Sequence, residues 1–253
     1  PLTLFLLFSW SLQNLSAQEQ AGPEFAALQA RSIGPAGMSG RIAAIDAVEA
    51  DPNRIFVGAA TGGVWKSVNG GQTWKPVFDR ERVLGIGAVA IFQANPDIVW
   101  VGTGEGNPRN SAGVGAGIYK SMDGGHTWEL LGLEKSERIH RILLHPTDPE
   151  VAYAGVMGPA WSDGTQRGVY RTTDGGESWE RILFVNQRTG VGDLVMDPRN
   201  PDKLLAGMWE FRRQPWFFES GGPGSGLYLT RDGGDTWTRL DEDDGLPRGA
   251  LGR

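Results

Sequence analysis

The sequence has no cysteine, and its three histidines, His126, His140 and His145, are scattered through 253 residues. The first absence excludes a disulfide framework and thiolate chemistry. The second argues against a histidine-rich metal centre, and no metal or cofactor is expected. Basic runs are missing too, and the net charge is −6. Such a chain is a poor partner for nucleic acid or an anionic membrane surface. No apolar run reaches the roughly 20 residues that a membrane-spanning helix needs. The apolar stretch LTLFLLFSWSL, residues 2–12, has the length of a signal-peptide core, and Leu15-Ser16-Ala17 follows as a cleavage pattern. Residues 1–17 are therefore expected to be an export leader, cut short at its start because methionine and a basic opening are lacking. The expected location is periplasmic or extracellular.

What is abundant is glycine, 38 residues of it, and much of it recurs in register. SVNGGQTW, SMDGGHTW, TTDGGESW and TRDGGDTW end at Trp74, Trp128, Trp179 and Trp237. Pro52, Pro96, Pro149 and Pro201 stand 44, 53 and 52 residues apart, each followed six residues on by Gly58, Gly102, Gly155 or Gly207. Ile45, Val89, Ile142 and Leu194 each lie seven residues before their proline. GVWKS, GIYKS, GVYRT and GLYLT run straight into the octapeptides. Each unit reads as strand A, an Asn/Asp-Pro turn, strand B, a loop, strand C, the octapeptide turn and strand D. No sustained helical period interrupts this pattern. Four-stranded antiparallel units of about 50 residues that must bury their faces on one another predict an all-β chain, a β-propeller with four blades present.

The octapeptide then has a structural task. Its Gly-Gly pair permits positive φ in a tight turn, and the acid at Asp123, Asp174 or Asp232, with Asn69 in the first copy, can accept backbone N–H groups of that turn. The tryptophans Trp74, Trp128, Trp179 and Trp237 are expected to be buried anchors at equivalent positions. The alternative, acids converging on one catalytic cavity, is less economical.

S/T-x-D-x-G-x-T/S-W resembles the Asp box, or bacterial neuraminidase repeat, found in sialidase, xyloglucanase and sortilin-type propellers. With RSIGPAGMSGRI, GAATGGVWKS, GTGEGNPRNS and MWEFRRQPWFF, the chain is similar to secreted bacterial proteins related to the sortilin N-terminal domain and to propeller xyloglucanase-like glycosyl hydrolases. The resemblance covers nearly all of the mature chain. It implies a propeller strongly and a particular function weakly.

Residues 18–38 form an N-terminal segment in which FAALQARSIG, residues 25–34, stands where a ring-closing strand D would. Residues 39–253 are expected to hold blades 1–4 and the start of a fifth. The chain is expected to be a fragment, an arc whose first and last blades do not meet.

Loops B–C and D–A open on the face opposite the octapeptides, and their variable chemistry makes that face the expected ligand side. The B–C loops span residues 103–117, 158–168 and 209–226. The last holds Trp209, Phe211, Trp216, Phe217 and Phe218 among Glu210, Arg212, Arg213 and Glu219. Such a loop suits a sugar ring or a peptide, or else packs down as a local minicore. Glu105, Asn107, Arg109 and Asn110 of the blade-2 loop are expected to flank a cleft with it, over Trp161 and Asp163. Arg41 and Arg138, each eleven residues before its proline, would approach the central opening, as would Arg253; resemblance to sialidases implies carboxylate binding there. The Arg-Ile-Pro phrase of sialidases is here Arg41-Ile42-Ala43.

Glycoside hydrolysis requires two carboxyl groups. The resemblance to propeller xyloglucanases places their catalytic aspartate at Ala60. No sequence feature pairs the remaining acids, and Asp241, Asp243 and Asp244 miss the spacing of a calcium loop. Three readings stay open: a glycan- or protein-binding propeller, a glycoside hydrolase, or a sortilin-like peptide binder.

Overall fold

The computed structural model describes residues 41–249. The leader, the 25–34 strand and Arg253 lie outside the described residues. Four antiparallel sheets follow one another along the chain, each with its strands in sequential order. The first is β1 (Ile42–Val48), β2 (Asp51–Ala59), β3 (Gly63–Ser67) and β4 (Lys75–Pro76). The second is β5 (Ile86–Ile91), β6 (Val99–Thr103), β7 (Ile118–Ser121) and β8 (Glu129–Leu130). The third is β9 (Ile139–Leu144), β10 (Ala152–Val156), β11 (Gly168–Thr172) and β12 (Glu180–Leu183). The fourth is β13 (Thr189–Asp197), β14 (Asn200–Arg213), β16 (Gly226–Thr230) and β17 (Thr238–Arg239), with β15 (Phe218–Ser220) paired to the far end of β14. These are propeller blades, and the first strands pack in succession, β1 on β5, β5 on β9 and β9 on β13. No extensive packing joins β1 to β13 among the described residues, as an open arc requires.

The cores lie between blades. Phe56, Val64 and Phe78 of blade 1 meet Ile86, Val99 and Tyr119 of blade 2. Trp100 and Ile118 meet Ile139 and Tyr170 of the next blade, and Tyr153 and Val169 meet Val191 and Leu194 of the last. The glycine that follows each proline makes this approach possible. A β-carbon on Gly58, Gly102 or Gly155 would fall 2.5, 2.6 or 2.8 Å from Ile86, Ile139 or Val191 of the following blade. At Gly207, in blade 4, nothing among the described residues lies nearer than 3.7 Å. The recurrent glycine is a seat for the next blade.

The octapeptides form the turns between third and fourth strands, with φ of 67 and 88° at Gly124 and Gly125. Asp123 accepts the backbone N–H of His126 and Thr127, both at 2.9 Å. Asp174 accepts that of Ser178 at 3.0 Å and Asp232 that of Thr236 at 2.9 Å. These bonds, led by the hydroxyls of Thr127, Ser178 and Thr230, hold all three carboxyls well below the usual aspartate range. The acids serve their own turns and do not converge on a cavity.

The tryptophans depart from expectation. Trp128, Trp179 and Trp237 are half-buried, and Trp74 is exposed at 37%. Trp128 and Trp179 dock on the blade before their own, so their burial depends on that neighbour, whereas Trp237 Nε1 donates to Gly234 O of its own turn at 3.1 Å. Trp128 Nε1 donates to Val77 O, and Trp179 Nε1 to Leu131 O, both at 2.7 Å. Trp74 has no such acceptor among the described residues. A second tie runs the same way: Lys66, Lys120 and Arg171 on third strands donate to Gly124, Gly175 and Gly233 carbonyls of the following turn, at 2.7, 3.0 and 3.1 Å. Blade 4 places Leu229 there.

Candidate functional site

The face opposite the octapeptides is built from the connections between second and third strands. In blade 2, the chain leaving β6 turns Glu105 inward, where it is fully buried. Arg41, just ahead of β1, grips it with both arms, Nε to Oε1 at 3.0 Å and Nη2 to Oε2 at 2.5 Å. A buried carboxylate needs such a partner, and the pair ties blade 1 to blade 2. Arg138, just ahead of β9, is 1% exposed and donates to Glu137 at 3.0 Å and Gly158 O at 3.4 Å. Burial lowers its pKa, and Glu137 opposes the shift. The two arginines expected to await a ligand carboxylate are therefore held by carboxylates of the protein itself.

Blade 4 carries the largest difference from the expected layout. The segment read as a loop over 209–226 continues β14 to Arg213 and returns as β15, pairing Phe211 with Ser220 and Arg213 with Phe218. Gln214 N closes the hairpin on Phe217 O at 2.8 Å. Trp209 stacks on Phe211 at 4.5 Å and meets Phe218 edge-on at 5.7 Å. Met157 and Ala160 of blade 3 complete this minicore. Three of the five aromatics thus hold the hairpin down, whereas Trp216 at its tip is 85% exposed and Phe217 is 55%.

The hairpin reaches across blade 3, where the sequence suggests loops flanking a cleft. Arg212 pairs with Asp163 and donates to Trp161 O at 3.1 Å. Arg213 N bonds Ala160 O at 2.8 Å, and its Nε reaches Asn110 of the blade-2 loop at 2.6 Å. Asn110, Trp161, Asp163, Arg212 and Arg213 therefore share one surface, with the Trp161 ring 41% exposed. The loops touch, so blade 3 is bridged and the expected open cleft is closed at this point. Asn107 and Arg109 are exposed on the blade-2 loop, where Arg109 N bonds Asn107 O at 2.8 Å. Neither Arg41 nor Arg138 bonds to this group.

Arg167 escaped the sequence reading. It is fully buried, donates to Met157 O at 2.5 Å, to Ser162 O at 3.2 Å and to Pro159 O, and lies 5.0 Å from the Phe211 ring. Burial pushes its pKa down to about 10. Its place just before the strand-opening Gly168 was the available signal. It clamps the loop that carries Trp161.

The two acids of the blade-4 segment are also engaged. Glu210, 9% exposed, accepts Gly224 N at 2.8 Å, and Glu219 pairs with Arg188. Ala60 is buried in the blade-1 connection and bonds Arg41 O through its N–H at 2.8 Å. Its methyl group offers no proton.

The model of the Sortilin-Vps10 family, described as sortilin, neurotensin receptor 3, matches residues 116–245, just over half of the chain. The chain belongs to this family. It is also 27% identical, over 79% of its length, to a xyloglucanase of Paenibacillus, and 26% identical, over 73%, to an oligoxyloglucan-reducing end-specific xyloglucanase of Emericella nidulans. It spans 20% and 25% of those two relatives. Among solved structures, an ancestral GH74 enzyme superposes with a TM-score of 0.61 at 20% identity, covering 79% of this chain and 25% of that one. The GH74 xyloglucanase of Xanthomonas campestris gives 0.58 at 22%, with 81% and 30% covered. These likenesses establish the propeller fold. Among the described residues no helix is long and apolar enough to cross a membrane.

Proposed function

We propose that this chain is part of an exported Asp-box propeller whose open face binds a neutral glycan without cleaving it. One observation carries the reading. Glu105, Asp163, Glu210 and Glu219 are each held by a guanidinium or a backbone N–H, while on the same face Trp161 is 41% and Trp216 85% exposed. Acid–base cleavage needs a carboxyl group free to give up a proton and a second one across the bond. Sugar rings need an aromatic face with a few fixed hydrogen-bonding groups at its edge, as the Arg212–Asp163 and Arg213–Asn110 pairs supply. The xyloglucanase relatives support a β-glucan as the first ligand to try. The Sortilin-Vps10 match favours a second reading, a peptide on the same face.

The test uses the full-length protein, purified with and without Trp216→Ala. Binding to xyloglucan and cellulose oligomers is measured by calorimetry, and new reducing ends are assayed in parallel. The expected result is binding that weakens about tenfold or more in the variant, at unchanged melting temperature, with no new reducing ends. Catalytic release of reducing ends that Asp163→Asn abolishes would sink the binding-only reading. Saturable binding of peptides, but of no glycan, would favour the second.

A further inference from the structure

At its third position the first octapeptide carries an amide where the other three carry a carboxylate, and the difference is chemically active. Asn69-Gly70 is the sequence's single Asn-Gly pair. A glycine after asparagine leaves its backbone nitrogen unobstructed by a β-carbon, so that nitrogen can attack the side-chain amide. We infer that Asn69 is a deamidation site whose conversion turns the odd copy into a fourth aspartate turn.

In the folded turn the reacting groups are occupied. Gly70 N donates to Asn53 O at 3.1 Å. Asn69 Oδ1 accepts Ser67 Oγ at 3.0 Å and Thr73 N at 2.9 Å, and Nδ2 donates to Thr73 Oγ1 at 2.9 Å. Reaction therefore waits on local opening of the turn. This turn is the one whose tryptophan is exposed, at 37%, and it receives no cation from a neighbouring blade among the described residues. When it opens, Gly70 N bonds to Cγ, the Cγ–Nδ2 bond breaks and ammonia leaves. Water then opens the cyclic imide at Cγ to give aspartate, or at the backbone carbonyl to give isoaspartate. The aspartate fits at once. In the other turns Thr127, Ser178 and Thr236 hydroxyls donate to the second carboxylate oxygen at 2.6, 2.5 and 2.5 Å, so Thr73 need only rotate its proton. Isoaspartate lengthens the backbone and breaks the Gly71 N to Ser67 Oγ bond of 2.8 Å.

The experiment incubates the full-length protein at mildly alkaline pH and maps residues 67–75 by mass spectrometry, beside a synthetic peptide of that sequence. Conversion in the folded protein is expected to be at least roughly fivefold slower than in the peptide, and Thr73→Ala should recover several-fold of that rate. Asn69→Asp should melt no lower than the wild type. Equal rates in protein and peptide, or no conversion at Asn69 even in Thr73→Ala, would overturn the inference. So would a lower melting temperature for Asn69→Asp, since the turn would then not accept the product.

Discussion

At one end of each blade one octapeptide pattern makes nearly the same turn four times; at the other end no two connections are alike. Both ends use aspartate, arginine and tryptophan. In the octapeptide turns the acid faces its own backbone, and the indoles of Trp128 and Trp179 face the preceding blade. On the open face the acids face arginines from distant segments, such as Arg41 with Glu105, and two indole rings face outward. Repetition therefore marks residues that hold blades together, and the singular residues are those on which the proposed glycan site rests. The glycine seat sharpens the contrast: among the described residues three of the four anchor glycines are filled by the next blade, and the fourth, Gly207, is not.

The largest effect that could break this comparison comes from exchanging one tryptophan of each kind. Trp128→Ala removes an edge-on contact with Phe78 at 5.2 Å and the bond to Val77 O. It should cost about 3 kcal/mol, read as a clear drop in melting temperature. Trp216→Ala should leave thermal melting alone, because the ring touches little. If the two variants melted alike, the division between scaffold end and recognition end would be wrong.

Much of the scaffold end was legible because four copies of one solution sit in the same chain. Gly-Gly after an acid specifies the turn locally, so its hydrogen bonds follow from the octapeptide alone. Burial of the tryptophans did not follow, because it depends on a preceding blade, as for Trp128 and Trp179, and Trp74 has no such neighbour among the described residues. The open face was less legible for a related reason. Its pairings join residues 64 or 103 positions apart, as in Arg41–Glu105 and Asn110–Arg213, and no periodicity encodes them. The hairpin of β14 and β15 was missed although Trp209, Phe211 and Arg213 alternate with Glu210 and Arg212, the period of a strand. Pairing of the two strands packs Trp209, Phe211 and Phe218 into the minicore and leaves Trp216 and Phe217 on the exposed turn between them.

A smaller test concerns the cross-blade cations. Lys120 donates to Gly175 O and lies 4.8 Å over the Trp100 ring. Lys120→Met keeps the stem and removes the ammonium, and about 1 kcal/mol of stability should go with it. Leu229→Lys, at the equivalent site of blade 4, should change melting far less in this chain, where no following octapeptide turn is described. Equal effects at the two sites would mean that the cation serves its own blade.

The smallest effect is the most specific to the turn chemistry. The carboxyls of Asp123, Asp174 and Asp232 titrate below their ordinary value near 3.8 in the folded turn. A depressed folded value means that the ionised form is favoured by folding, so the contribution is complete above the unfolded value. It is lost as pH falls from about 4 toward the depressed folded value. Melting temperature should therefore fall on acidification through that window, and Asp123→Asn should make the fall shallower while lowering the neutral-pH melting point only slightly, since the group is solvent-exposed and screened. The first turn supplies the control within the same molecule. Asn69 bonds Thr73 N as its counterparts do, yet carries no titratable proton. Asn69→Asp should steepen the acid dependence by about as much as Asp123→Asn relaxes it. A profile that responds to neither substitution would show that these carboxyls are no more tightly held in the fold than in the unfolded chain.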